Sequence, residues 1–128
     1  MPLVTLTVRA GKPPAWKHAI LAGVHGSLVA SGVPEADRFH RVLELSETDF
    51  RFDPSYPDAA KPRDQDFALI EVLWSVGRSV KVKKKVLSDI VAALRESPGL
   101  DPENVMIVFK ETQWENWAFA GGRLVHAP

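Results

Sequence analysis

Two residues stand out for the chemistry their types and positions allow. The chain opens MPLVTLTVRAGKPP, and removal of Met1 would leave Pro2 with a free secondary amine. An α-amino group has an ordinary pKa of about 7.7 to 8.0, close enough to neutrality to move a proton in either direction. Burial against apolar groups would lower that value and favour a neutral general base, whereas a nearby carboxylate such as Asp37 would favour the protonated acid; both roles stay open on the sequence. A purely structural use of Pro2 also stands, because proline is tolerated as the first residue of a strand, where its missing N–H costs no ladder hydrogen bond. The second residue is Arg78, in the segment VGRS between an apolar run and a helix start. The free N–H groups and positive dipole of a helix start favour an anion, and an adjacent arginine can grip a carboxylate with two parallel hydrogen bonds. Lys81 in the first turn is unfavourable for the helix alone and fits a bound anion, although Arg78 by itself also reads as an exposed surface arginine. Trp114, Trp117 and Phe119 near the C-terminus are an aromatic cluster, suited to core or interface packing or to walling the same pocket.

The elements that must position these residues follow from periodicity. LVTLTVR, Leu3 to Arg9, alternates valine and leucine with threonine as a strand does. After GKPP, Trp16, Ile20, Val24 and Leu28 recur at helical spacing until SGVP breaks the pattern. RFHRVLEL, Arg38 to Leu45, reads as a second strand, and the proline-bearing stretch from Ser46 to Asp66 is a long excursion. The order then repeats. FALIEVLW, Phe67 to Trp74, is a strand apolar on both sides. Ser79 is placed to cap a helix whose stripe is Val86, Leu87, Ile90, Val91 and Leu94, and VMIVF, Val105 to Phe109, is the fourth strand.

A helix between paired strands implies a parallel, right-handed crossover. The predicted architecture is therefore α/β (α+β): two consecutive β-α-β units forming one four-stranded mixed sheet with two helices on one face, in a single domain over 1–128. The other sheet face is left bare and apolar, which predicts a homo-oligomer, with the tail TQWENWAFAGGRLVHAP free to reach a neighbour.

Composition removes several function classes. The 128 residues carry 16 basic and 16 acidic side chains, so nothing points to a nucleic-acid partner, and KVKKK reads as a solvated helix face. With no cysteine there are no disulfides, thiolate nucleophiles or zinc–cysteine sites. No apolar run reaches the roughly 18 residues of a membrane span, and no signal-peptide pattern opens the chain, so the expected compartment is the cytoplasm. There is no dinucleotide fingerprint, P-loop or zinc-protease motif. His18, His25, His40 and His126 lack metal-ligand spacing, and Ser27 and Ser75 lack a nucleophile elbow.

Taken together, the cleavable methionine, the proline opening a strand, the doubled unit and the arginine at the second helix start resemble the tautomerase superfamily. VPEADRF, GRS, LRESPGLDPENVMI and ENWAFAGGR are most similar to its malonate semialdehyde decarboxylase branch. The resemblance implies that Pro2 is the catalytic amine, that Asp37 orients water or substrate, that Arg78 binds the substrate carboxylate, and that Trp117 and Phe119 wall the pocket. It implies a trimer, a small carboxylate-bearing substrate, and neither metal nor organic cofactor. The chain departs from it in the second cation. The decarboxylase branch has a further arginine where this chain has Val76, and the cis-chloroacrylate dehalogenase branch, similar through GRS and Glu111, has one where this chain has Ser75. Arg38 and Arg41 are the candidates to replace it. One anchoring arginine ranks keto-enol tautomerisation of a 2-oxo acid first, and decarboxylation or hydration of a small oxo acid second. A non-catalytic oligomeric scaffold or small-molecule binder is the third reading, and it holds if Met1 is retained.

Overall fold

The computed structural model describes residues 2–125; Met1, on whose removal the catalytic reading of Pro2 depends, and residues 126–128, among them His126, lie outside the described residues. Four strands form one sheet: β1 (Leu3–Arg9), β2 (Phe39–Leu45), β3 (Ala68–Ser75) and β4 (Val105–Thr112), in the order β2-β1-β3-β4. β1 runs parallel to β2 and β3 parallel to β4, while β1 and β3 are antiparallel. The helices α1 (Pro14–Ala30) and α2 (Val80–Glu96) make the two crossovers. The mixed sheet of two β-α-β units is thus the one the doubled sequence pattern predicts.

Local chemistry explains the boundaries. Pro14 sits in the first turn of α1, where its missing N–H is no loss. Gly32, at a φ of 114° that disfavours any residue with a Cβ, closes the helix while Val33 N–H donates to the Leu28 carbonyl at 3.1 Å. Ser79 caps α2 by accepting the Val82 N–H at 3.2 Å. Strand limits shift slightly from the pattern. β4 runs on to Thr112 because Lys110, Glu111 and Thr112 pair with Leu73, Trp74 and Ser75; ladder hydrogen bonds extend a strand past its last apolar residue. A small hairpin of β5 (Ala118–Ala120) and β6 (Arg123–Leu124) in the tail has no counterpart in the sequence pattern.

Both helices cover one face. Ile20, Val24 and Leu28 of α1 and Val86, Ile90 and Leu94 of α2 are fully buried on Val4, Leu6, Ile70 and Val72 of the sheet. Each such aliphatic side chain contributes about 1.5–3 kcal/mol of burial free energy. The helices meet closely at Gly23, where an added Cβ would lie 2.9 Å from Leu94 Cδ2.

The opposite face is partly open, with Phe39, Leu43 and Met106 exposed. Polar groups cross its middle: Arg41 Nε donates to Thr5 Oγ1 at 2.8 Å, and Lys110 pairs with Glu71. The face is not bare throughout, which corrects the expectation. The 46–66 excursion folds over one end, where Phe52 packs on Phe67 with ring centroids 4.4 Å apart and the Arg9 guanidinium lies 4.3 Å from the Phe52 ring centre. Phe67, read as the first residue of the third strand, is therefore buried just before β3. That end lies at the C-terminus of β1, about 20 Å along a seven-residue strand from Pro2. Within one chain, then, the excursion does not line the Pro2 end.

Candidate active site

The sheet register fixes what meets at the start of β1. Leu3 pairs with Phe39 of β2 and with Leu73 of β3, so Pro2, one residue earlier, stands level with Arg38 and Trp74. Trp74 in turn pairs with Glu111 of β4. Alternation along the strands puts this row on the helix-covered face, beside Val4 and Val72. Pro2 is buried and Trp74 is fully so. The burial comes from β1 being an inner strand, flanked on both sides.

Arg78 reaches the same row from the β3–α2 connection. Gly77, at a φ of 122°, turns the chain there. The Arg78 guanidinium lies 4.0 Å from the centre of the Trp74 ring and its Nη1 donates to the Ser75 carbonyl at 2.7 Å. Trp74 is itself stacked on Phe109, with centroids 4.9 Å apart. A cation over an aromatic face is held by the ring quadrupole while its remaining N–H groups stay available. Burial lowers the Arg78 pKa from its ordinary value, and Glu111 and Asp37 act against that loss; an arginine so placed remains charged at neutral pH. Asp37 thus lies within electrostatic reach of Arg78. It follows a turn in which its N–H donates to the Pro34 carbonyl at 3.0 Å.

The aromatic tail folds back over this end of its own chain. Phe119 stacks on Phe39, the neighbour of Leu3, at 5.3 Å, and Trp117 lies 5.7 Å from Phe119. Trp117 is almost wholly buried, whereas Trp114, on the turn Trp114–Asn116, is 37% exposed. Three buried polar atoms belong to this end of β3 and the tail, and have no hydrogen-bond partner among the described residues: Trp74 Nε1, Ser75 Oγ and Trp117 Nε1. An orphaned donor costs about 1–3 kcal/mol, and both indole N–H groups can only donate. They suit a ligand that brings acceptor oxygens.

The structure therefore brings Pro2 and Arg78 together through Trp74, sets Asp37 in the field of Arg78, and attaches Trp117 and Phe119 to the start of β2. Of the two cations nominated to replace a second arginine, Arg38 stands level with Pro2 on β2 and Arg41 does not. Arg41 is on the open sheet face, bonded to Thr5, and Arg38 projects beside His40. Lys83, rather than Lys81, also reaches this row: its Nζ lies 2.6 Å from Glu111 Oε1. Trp74 and Phe39 were passed over, since each reads as an ordinary strand residue. The one available signal was Trp74 ending an apolar run four residues before Arg78.

Several known proteins are similar to this chain in sequence or fold. Residues 37–120 match the family model described as tautomerase enzyme. A Bacillus subtilis (strain 168) protein named "Probable tautomerase YusQ" is 27% identical over 124 residues, 96% of each chain. "Probable tautomerase RSp1151" of Ralstonia nicotianae (strain ATCC BAA-1114 / GMI1000) is 30% identical over 53 residues, 41% of this chain and 82% of its own. Among solved structures, malonate semialdehyde decarboxylase superposes with a TM-score of 0.87 at 24% identity, over 95% of this chain and 93% of that one. A fused 4-OT described as a symmetric trimer gives 0.75 at 24% identity, over 95% and 94%. The fold, the doubled unit and the match over most of the chain lead to one conclusion: this chain belongs to the tautomerase family of enzymes.

Proposed function

We propose that residues 1–128 form a single tautomerase-like domain that interconverts the keto and enol forms of a small 2-oxo acid without a cofactor. The observation that carries this reading is the row at the start of β1, where buried Pro2 stands level with Trp74 beneath the Arg78 guanidinium. In the reaction, Arg78 holds the substrate carboxylate. The Pro2 amine, freed by removal of Met1, accepts the enol hydroxyl proton and returns a proton to the adjacent carbon, so that protons balance and the amine is regenerated. Trp117 and Phe119 exclude water, and Asp37 orients the polar end of the substrate. Trp114 stands at the rim. The protein acts in the cytoplasm as a homotrimer whose open sheet faces, with Phe39, Leu43 and Met106, cover one another; the symmetric trimer of the fused 4-OT relative supports that stoichiometry.

Ketonisation of the enol of phenylpyruvate, followed by ultraviolet absorbance, tests the proposal. Pro2→Ala is expected to lose most of the rate, and equal rates for the two proteins would sink it. Intact mass is the companion measurement, because retained Met1 turns the amine of Pro2 into an amide and favours the scaffold reading.

A second reading rests on Asp37 and Glu111, two carboxylates that both act on Arg78. Such a pair can orient water toward an oxo group, which supports hydration or decarboxylation of a small oxo acid. Release of carbon dioxide from malonate semialdehyde, dependent on Pro2 and Arg78, distinguishes it.

A further inference from the structure

A second concave surface lies on the outer side of α1, against the start of β2. It encloses about 520 Å³. One wall is apolar, from Leu21, Ala22 and Val29; the other carries Arg38, His25 and His40, with His18 and Glu35, the one carboxylate of the lining, at its edge. None of Pro2, Asp37, Arg78, Trp117 and Phe119 lines it.

Four features of this groove remain unexplained by the fold. His25 is 5% exposed, and its Nε2 donates to the Glu35 carbonyl at 2.8 Å, an atom that can only accept. In the neutral ring that bond leaves Nδ1 as an acceptor, buried and without a partner among the described residues. Arg38 is exposed and makes no ion pair among the described residues. His40 stands edge-on to His25 at 5.4 Å; burial, then His25 and Arg38, lower its pKa and disfavour its charged form. Arg38 is therefore the permanent cation of the groove. The last feature is Gly26. A glycine inside a helix costs stability relative to alanine, and Gly23 has a packing reason in the closeness of Leu94 and Ala93. At Gly26 an added Cβ would meet nothing within 4 Å, and the residue forms part of the groove wall. Space is kept open there without a packing reason.

We propose that this groove is a second binding site, for a small carboxylate with a short aliphatic body and a hydrogen-bond donor next to the carboxyl group. The carboxylate pairs with Arg38, the donor satisfies His25 Nδ1, and the aliphatic body lies on Leu21, Ala22 and Val29. A metal ion does not fit, because among the described residues no three His, Asp or Glu side chains converge as ligands. The donor is a hydroxyl in a hydroxy acid or an ammonium in an amino acid.

Heteronuclear NMR of the imidazole groups in the full-length protein tests the proposal, with α-hydroxyisocaproate, leucine and isocaproate as probes. The expected result is saturable, millimolar binding of α-hydroxyisocaproate or leucine that shifts the His25 and His40 resonances, the stronger of the two identifying the donor. Isocaproate, which lacks the donor, is expected to bind about tenfold more weakly. Arg38→Met is expected to weaken binding about tenfold, and Gly26→Leu to abolish it with circular dichroism unchanged. Binding is expected to persist in Pro2→Ala, so the outcome is independent of the proposed reaction. Equal affinity for isocaproate, unchanged binding in Arg38→Met, or loss of binding in Pro2→Ala would overturn it. Because Arg38 is exposed, its variant keeps the test decisive should Gly26→Leu fail to fold.

Discussion

Replacing Arg78 by methionine is the sharpest perturbation of the proposed reaction. Methionine keeps the length of the side chain and its apolar contact with Trp74, and removes the charge. In the resting protein the guanidinium makes one hydrogen bond, to the Ser75 carbonyl at 2.7 Å, and one cation–π contact at 4.0 Å. The contact is worth about 1 kcal/mol in a half-buried setting. Against it stands the relief of a desolvated cation, the first cause of the lowered Arg78 pKa. Net stability should therefore change by no more than about 1 kcal/mol, or roughly 4 °C in Tm for a chain of this size. Substrate binding is another matter. A carboxylate held by two parallel charge-assisted bonds loses about 3–4 kcal/mol when both disappear, which corresponds to a fall in kcat/KM of about 100- to 1000-fold. Arg78→Lys keeps the charge but loses the planar fork and the ring contact, and should fall about tenfold. The assay is ketonisation of the enol of phenylpyruvate, run beside thermal denaturation of each variant. If Arg78→Met retained more than half of the wild-type kcat/KM, Arg78 would not be the carboxylate anchor. A Tm loss beyond about 10 °C would show that its role is structural.

Three other expectations follow from packing and titration. Gly26→Ala should raise Tm, by about 0.5–1 kcal/mol of helix propensity, whereas Gly23→Ala should lower it by about 1 kcal/mol, because its Cβ would press on Leu94 at 2.9 Å and Ala93 at 3.2 Å; differential scanning calorimetry of the pair reads both signs. The folded His40 pKa lies below 6.5, so the unfolded chain binds the extra proton first, and the contribution of His40 to stability is present above pH 6.5 and lost as pH falls through the folded value; denaturant midpoints from pH 8 to 5 should drop less in His40→Gln. Leu73→Asp puts a charge on the open sheet face, level with Leu3, and should convert the proposed homotrimer to monomers in light scattering, while an unchanged mass would refute burial of that face between copies.

Much of the fold was legible in the sequence because its signals are local. Leu3–Arg9 is a strand over the same residues that the alternation picks out, and the α1 stripe of Ile20, Val24 and Leu28 is buried as its spacing requires. The Ser79 cap is also a local event, completed three residues away. The tail hairpin was not legible, since three- and two-residue strands carry no periodicity. Nor was the place of the excursion, which depends on Phe50 and Phe52 finding Phe67. For the candidate site, residue type alone singled out Pro2 and Arg78, because a secondary amine and a guanidinium at a helix start are chemically unusual. Lys83 and Trp74 were hidden, for a lysine on a helix and a tryptophan in a strand have many ordinary uses.

By itself, the sequence determined the order of elements, the apolar stripes, and the presence of a proline at position 2 and an arginine at a helix start, the residues on which the proposed reaction rests. These depend on intrinsic backbone preferences and on side-chain periods of two and 3.6 residues, which act between near neighbours. Only the tertiary structure decided the rest. The antiparallel pairing of β1 with β3 sets Pro2 level with Trp74, the turn at Gly77 lays Arg78 over that ring, and the β4 register brings Glu111, with Lys83 on it, into the same row. Residues so far apart along the chain meet only through strand register, and register is settled by burial of the whole sheet face, which no short stretch of sequence encodes.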